Sequence, residues 1–186
     1  DRVDEIERET RHDIMALTKA MAEQAGEAPW CIHLGATSND IVDTAVAMQI
    51  RDSVILQKRV LGSLITTLSD LAERERDTVM LGRTHGQAAV PITFGLKIAV
   101  FVDEFVRHLE RLSEIEGRIT AGKFLGAVGT GAAQGEGALE LQSLILLDLG
   151  LTVPVATTQV VGRDRYIEWV SWMANTATSV EKILQE

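Results

Sequence analysis

Cysteine is almost missing from the chain: Cys31 is the only one in 186 residues. That excludes an intramolecular disulfide framework and a cysteine-built metal site, and it suits a reducing cytosol better than a secretory route. Prolines number three and aromatic residues make up 4%, against 46% apolar residues overall. A sandwich or barrel would need more of both; this balance, rich in Ala, Leu, Ile, Val and Glu, is that of long helices and predicts an all-α fold. No apolar run approaches the roughly 20 residues of a bilayer span, and the opening DRVDEIERETRHD is too charged for a signal peptide. The expected location is therefore cytoplasmic. Positive charge is also short, with 18 Lys and Arg against 27 Asp and Glu and a net charge of −9. Nucleic acid and anionic membranes are excluded as partners, since both demand a basic field. An anionic small molecule could bind only where local donors and helix N-termini overcome the global repulsion.

Apolar spacing predicts the helices. Val3, Ile6, Ile14, Leu17 and Met21 recur at intervals of three, four and their sums, so a single helix is expected from Val3 to Gln24, ended by Gly26 and Pro29. Thr37, Ser38, Asn39 and Asp40 are all good caps, and the stretch from Ile41 to Arg76 lacks proline; a helix of about 35 residues, roughly 50 Å long, follows. A second long helix is expected to start at Pro91 and run to about Gly122. Six glycines between Gly122 and Gly137 predict irregular backbone close to a neighbour or ligand. A shorter helix, Ala138 to Leu149, ends at Gly150, and a final one carries the stripe Ile167, Val170, Ala174, Ala177, Val180 and Leu184. Helices this long imply a bundle that buries itself against other chains. The chain begins inside a helical pattern at Asp1 and ends at SVEKILQE without a glycine or proline stop, so it reads as a piece of a longer protein.

Four polar clusters sit at breaks or face them, and each admits a plain and a chemical reading. TRHD, Thr10 to Asp13, is either a solvated helical face or a site holding Arg11, His12 and Asp13. HLGATSND, His33 to Asp40, is either simple capping by Thr37 or Ser38, or a carboxylate or phosphate site at the positive end of a very long helix. GRTHGQAAVP places Thr84 and His85 in a loop, where a histidine between glycines is not easily a packing residue. TTQVVGRDR gathers Gln159 and Arg163 at a helix start, where caps and surface ion pairs would also account for them. His108, in mid-helix, reads as structural. There is no G-x-S-x-G, HExxH, Walker or Rossmann pattern, and GAVGTGAAQGEG lacks the GK[ST] ending of a phosphate loop.

Taken in order, TRHD, HLGATSNDIVDTA, RTHGQAAVPITFGLKIA, GKFLGAVGT and TTQVVGRDR resemble the adenylosuccinate lyases of the fumarase/aspartase superfamily. The resemblance runs from about Thr10 to Glu186. It implies that residues 1–30 end an N-terminal helical domain and that residues 31–186 are part of the central helical bundle. The third domain and a mobile serine-bearing loop resembling S-S-x-M-P-x-K-x-N-P would lie elsewhere in the protein. The implied reaction is β-elimination of fumarate from adenylosuccinate and from the succinylated imidazole-carboxamide ribotide, without metal or organic cofactor, in a homotetramer whose sites are shared between subunits. By matching position His85 is the acid that protonates the leaving nitrogen and His12 orients the substrate. His33 takes part in phosphate or carboxylate binding, and Thr37 and Ser38 receive a succinyl carboxylate. Thr84 and Gln159 hold the succinyl or leaving-group end, with Arg11, Asp13 and Arg163 as further substrate contacts. The general base would lie outside this chain, so these residues alone are expected to be inactive. Two other readings remain: another lyase of the superfamily, such as a carboxymuconate cycloisomerase, fumarase or aspartase, and a non-catalytic helical assembly module.

Overall fold

The computed structural model describes residues 1–186. Its elements are mostly helical: α1 (Arg2–Thr10), α2 (Asp13–Ala22), a 3-10 turn (Pro29–Cys31), α3 (Ser38–Arg74), strands β1 (Val79–Thr84) and β2 (Gln87–Thr93), then α4 (Phe94–Ile119), α5 (Ala138–Asp148) and α6 (Asp164–Gln185). None of these helices is long and apolar enough to cross a membrane. The chain divides into two compact units, the first made of Asp1–Arg51 and Thr120–Arg163, the second of Asp52–Ile119 and Asp164–Glu186. Helix α3 contributes to both.

In the first unit, the expected single helix over 3–24 is broken into two. Arg11 takes the left-handed conformation (φ 51°) as the C-cap of α1, and His12 becomes the N-cap of α2. Across the break Ile6, on α1, packs with Ala16 and Ala20, on α2, whereas Leu17 and Met21 of the expected stripe are exposed. Apolar residues at helical intervals on both sides of a bend imitate the period of a straight helix. A second apolar cluster joins the start of α3 to α5 and the turn after it, through Ala47, Leu146 and Leu151 with Met48, Leu149 and Val153 against them. Arg51 extends from α3 to the Leu149 carbonyl at the end of α5, where it satisfies an orphan helix acceptor. The stretch between α4 and α5 is irregular, as its glycines predict, and Gly126, Gly129, Gly131 and Gly135 all stand at positive φ.

In the second unit, Pro91 lies in β2 and not at a helix start. The segment expected as a loop is an antiparallel hairpin, with Thr84 opposite Gln87 and an irregularity between Leu81 and Arg83. Its two-residue turn is His85–Gly86, with φ of 52° and 69°. Positive φ at both central positions is the twist-matching turn of tight hairpins, and it explains the glycine beside the histidine. Helix α4 follows directly and buries Ile98, Phe101, Phe105, His108, Leu112, Ile115 and Ile119, spaced by alternating threes and fours. These pack on α6, but not on the stripe expected there. Ile167, Val170, Ala174, Ala177, Val180 and Leu184 are exposed, while Trp169, Trp172, Thr176 and Ser179 face inward. The two tryptophans stack at 5.3 Å between ring centroids, and Trp172 Nε1 donates to the His108 carbonyl at 2.9 Å.

His108 is a structural residue with every polar atom engaged. Ser179 Oγ donates to Glu104 Oε1 at 2.5 Å, so the contact of 2.8 Å between His108 Nε2 and Ser179 Oγ needs the proton on Nε2. The Nδ1 lone pair then accepts from Arg111 Nη1 at 3.4 Å, and Lys182 Nζ closes the chain on Glu104 Oε2. Burial first, and then the Arg111 guanidinium, hold the imidazole below the ordinary histidine range.

Candidate functional site

The head of α3 is the centre of the first unit's polar chemistry. Its helix begins at Ser38, and Asp40, three residues beyond Thr37, accepts the Thr37 N–H at 2.8 Å. This is the reaching-back half of a capping box, supplied here by an aspartate. The cap therefore engages Asp40, and Ser38 Oγ instead lies 3.3 Å from His12 Nε2.

His12 owes its position to the break between α1 and α2. Its Nδ1 accepts the Met15 N–H at 3.4 Å as an N-cap, which leaves the proton of a neutral ring on Nε2, facing Ser38. The same Nδ1 is 3.3 Å from Asp13 Oδ1. His12 and Asp13 are exposed and Thr37 and Ser38 half-buried, so the groups are reachable from solvent. Imidazole, hydroxyl and free helix amides form a donor set suited to a carboxylate or phosphate.

One turn along α3, Asp43 holds the segment 157–163. Its carboxylate, almost fully buried, accepts Arg163 Nη1 at 2.8 Å and the Val161 N–H at 2.9 Å. Arg163 is thus half-exposed but anchored, and Gln159, two residues before Val161, is exposed on the fixed segment. The glycine-rich stretch supports this segment from behind. A Cβ on Gly129 (φ +79°) would press on the Thr157 carbonyl oxygen and lie 2.8 Å from its carbon and 2.9 Å from Thr158 O.

Of the residues expected from sequence, His12 meets Ser38 and Asp13, Thr37 precedes Ser38 at the head of α3, and Arg163 and Gln159 share a segment tied to the same helix. Arg11 does not join them; it lines a surface hollow with Asp4, Glu7 and Arg8. His33 stands at φ 66° with a buried Nε2 that has no hydrogen-bond partner, an orphan donor or acceptor suited to a ligand. Thr84 and His85 belong to the second unit, exposed at the hairpin tip. A non-glycine residue in the left-handed region is a mild strain that hairpin pairing sustains.

Sequence reasoning missed Asp40 and Asp43 as organisers, together with Thr44 and Lys123. Thr44 Oγ1 donates to the Lys123 carbonyl at 2.9 Å and accepts its N–H at 3.0 Å. The available signal was three polar residues, Asp40, Asp43 and Thr44, at helical spacing on one face of an otherwise apolar stretch.

The sequence pattern of the lyase family matches residues 2–186. Curated adenylosuccinate lyases from Pyrococcus abyssi and Pyrococcus horikoshii are 46% and 48% identical over 100% and 98% of this chain. The chain spans 41% of the length of each. Among solved structures, a fumarate lyase from Mesorhizobium sp. BNC1 superposes with a TM-score of 0.90 at 40% identity, over 98% of this chain and 43% of that one. A 3-carboxy-cis,cis-muconate lactonizing enzyme from Pseudomonas putida superposes with a TM-score of 0.87 at 34% identity, over 97% of this chain and 42% of that one.

Proposed function

Because the chain belongs to the lyase family, we propose that it is the portion of an adenylosuccinate lyase that binds the succinyl group and supplies the general acid. The observation that carries this reading is the meeting of His12 Nε2 with Ser38 Oγ at the head of α3, in a chain whose curated relatives named for that activity match it over its whole length. The reaction removes a proton from the carbon beside a succinyl carboxylate; the electron pair forms the carbon–carbon double bond, and the carbon–nitrogen bond breaks. Thr37, Ser38 and the α3 amides receive that carboxylate, where negative charge builds as the proton leaves. His12 orients the succinyl group through its Nε2–H, with Asp13 beside it. His33 takes phosphate or carboxylate through its free ring nitrogen. Gln159 and Thr84 hold the succinyl and leaving-group ends, and Arg163 and Arg11 supply anion contacts. His85 donates a proton to the departing nitrogen, a step histidine performs near neutrality. The proton-abstracting base belongs to the rest of the polypeptide.

The same reading makes residues 1–30 the end of an N-terminal helical domain and residues 31–186 part of a central bundle. It makes the protein a cytoplasmic homotetramer acting on an anionic nucleotide without a cofactor. Exposed apolar residues on α3 (Ile55, Leu56, Val60), α4 (Leu96, Val100) and α6 (Ile167, Val170, Leu184) support association. A second reading, lactonisation or cycloisomerisation of a carboxymuconate, is favoured by the likeness to the P. putida enzyme; the higher identity of the archaeal relatives favours adenylosuccinate.

The test is turnover by the complete polypeptide, measured side by side as fumarate release from adenylosuccinate and as conversion of 3-carboxymuconate to its lactone. Adenylosuccinate turnover is expected, and His85→Ala should lower kcat by at least about 10²-fold. Turnover of carboxymuconate alone, or a His85→Ala variant with unchanged kcat, overturns the assignment.

A further inference from the structure

Lys123 has no role in the reading above, yet it is one of the most thoroughly enclosed side chains in the protein, with 0% exposure. Its ammonium binds Asp40 Oδ1 and the Gly126 carbonyl, the latter at 3.3 Å. Asp40 in turn accepts the N–H groups of Thr37 (2.8 Å), Leu125 (3.2 Å) and Gly126 (3.0 Å). One carboxylate thus pins the glycine-rich segment to the first turn of α3.

The placement of Asp40 raises an electrostatic difficulty. The amino end of a helix carries roughly half a positive charge, and a full negative charge in its first turn leaves a net of about −0.5 where the substrate carboxylate is to sit. Adding Lys123 returns the sum to about +0.5. We propose that Lys123 is a positioning residue that cancels the charge of Asp40, so that Asp40 can tie the glycine-rich segment to α3 while the head of α3 still attracts an anion. The inference rests on the reading of Thr37 and Ser38 as a carboxylate site.

The test uses the fact that Lys123→Met and Asp40→Asn break the same ion pair but change the local charge in opposite senses. In the complete enzyme, KM and kcat for adenylosuccinate and the Kd of fumarate, by calorimetry, are measured for both variants. A unit charge about 10 Å away at an effective dielectric of about 20 alters affinity roughly tenfold or more. Lys123→Met is therefore expected to raise KM and the fumarate Kd at least tenfold with a smaller change in kcat. Asp40→Asn turns one acceptor oxygen into an NH2 facing the N–H groups of Thr37 and Gly126 or of Leu125 but adds net positive charge, so it is expected to raise both by clearly less than Lys123→Met. If the pair only holds the fold together, the two variants weaken binding in parallel, and that result overturns the proposal, as does a Lys123→Met variant that binds like the parent. Should Lys123→Met fail to fold, Asp40→Asn decides alone: a tenfold or larger rise in KM refutes the charge argument, and any smaller change supports it. A parent enzyme that neither binds fumarate nor cleaves adenylosuccinate overturns the functional reading itself, and this inference with it.

Discussion

Gly129 and Gly135 share a backbone conformation, φ +79°, but not surroundings. A methyl group on Gly135 would meet nothing within 4 Å, whereas one on Gly129 would collide with the main chain of Thr157 and Thr158. The two Gly→Ala substitutions therefore separate the cost of the left-handed backbone from the cost of contact. Alanine in that region costs roughly 1–2 kcal/mol, and this is the whole effect expected for Gly135→Ala. At Gly129 the opposing atoms are backbone and cannot rotate away. The segment must retreat by roughly 1 Å to restore van der Waals separation, at an overpacking cost of about 1–3 kcal/mol. Gly129→Ala should thus destabilise by about 2–5 kcal/mol in all. The same retreat carries Gln159, two residues beyond Thr157, and a displacement of about 1 Å in a substrate-positioning group lowers turnover by up to about 10²-fold. Urea midpoints of the two variants, with kcat/KM for adenylosuccinate in the complete enzyme, measure both effects. The reasoning is refuted if Gly129→Ala and Gly135→Ala lose the same stability, or if Gly129→Ala is destabilised yet keeps full kcat/KM.

Two further outcomes follow from buried hydrogen bonds. Thr44→Val leaves the Lys123 N–H and carbonyl without their shared hydroxyl and should cost about 2–4 kcal/mol, most of it regained by Thr44→Ser; equal losses in urea titrations of the two variants would contradict this. His108 is held neutral by burial and Arg111, so the unfolded chain takes up a proton that the native one refuses. Its contribution to stability is present above the ordinary histidine pKa of about 6.5 and is lost as pH falls towards the depressed native value. The urea midpoint should decline below that pH, with a shallower slope in His108→Gln, and an identical slope in both proteins would disprove the assignment.

The helices α3, α5 and α6 and the irregular glycine stretch were legible in the sequence because each follows from local periodicity or from glycine content. The break at Arg11 was not, because arginine is an uncommon left-handed cap and Ile6 packs across the bend as though no bend existed. The hairpin was hidden by Pro91, which serves equally well at the start of a helix and on an exposed strand. His85–Gly86 between two runs rich in Val, Thr and Ile was the signal to weigh against it. Tryptophan placement misled in α6: the more regular aliphatic stripe faces outward, and the larger Trp169 and Trp172 take the interior. At the site, His12, Thr37 and Ser38 could be picked out because polar residues at helix starts are informative. The pairing of Asp40 with Lys123 could not, since it spans 83 positions, and Asp40 by itself reads as one cap among several at the start of α3.

Asp40 and Asp43 fasten two different segments to successive turns of one helix, and this limits how the gene can change. Each residue in a helix advances about 100° around the axis, so inserting or deleting a single codon between the two would swing one carboxylate away from its segment while the other stayed seated. Substitutions on the outward side of that turn leave the geometry untouched. The first two turns of α3 can therefore vary in composition at Val42 or Ala45, both exposed, but not in length.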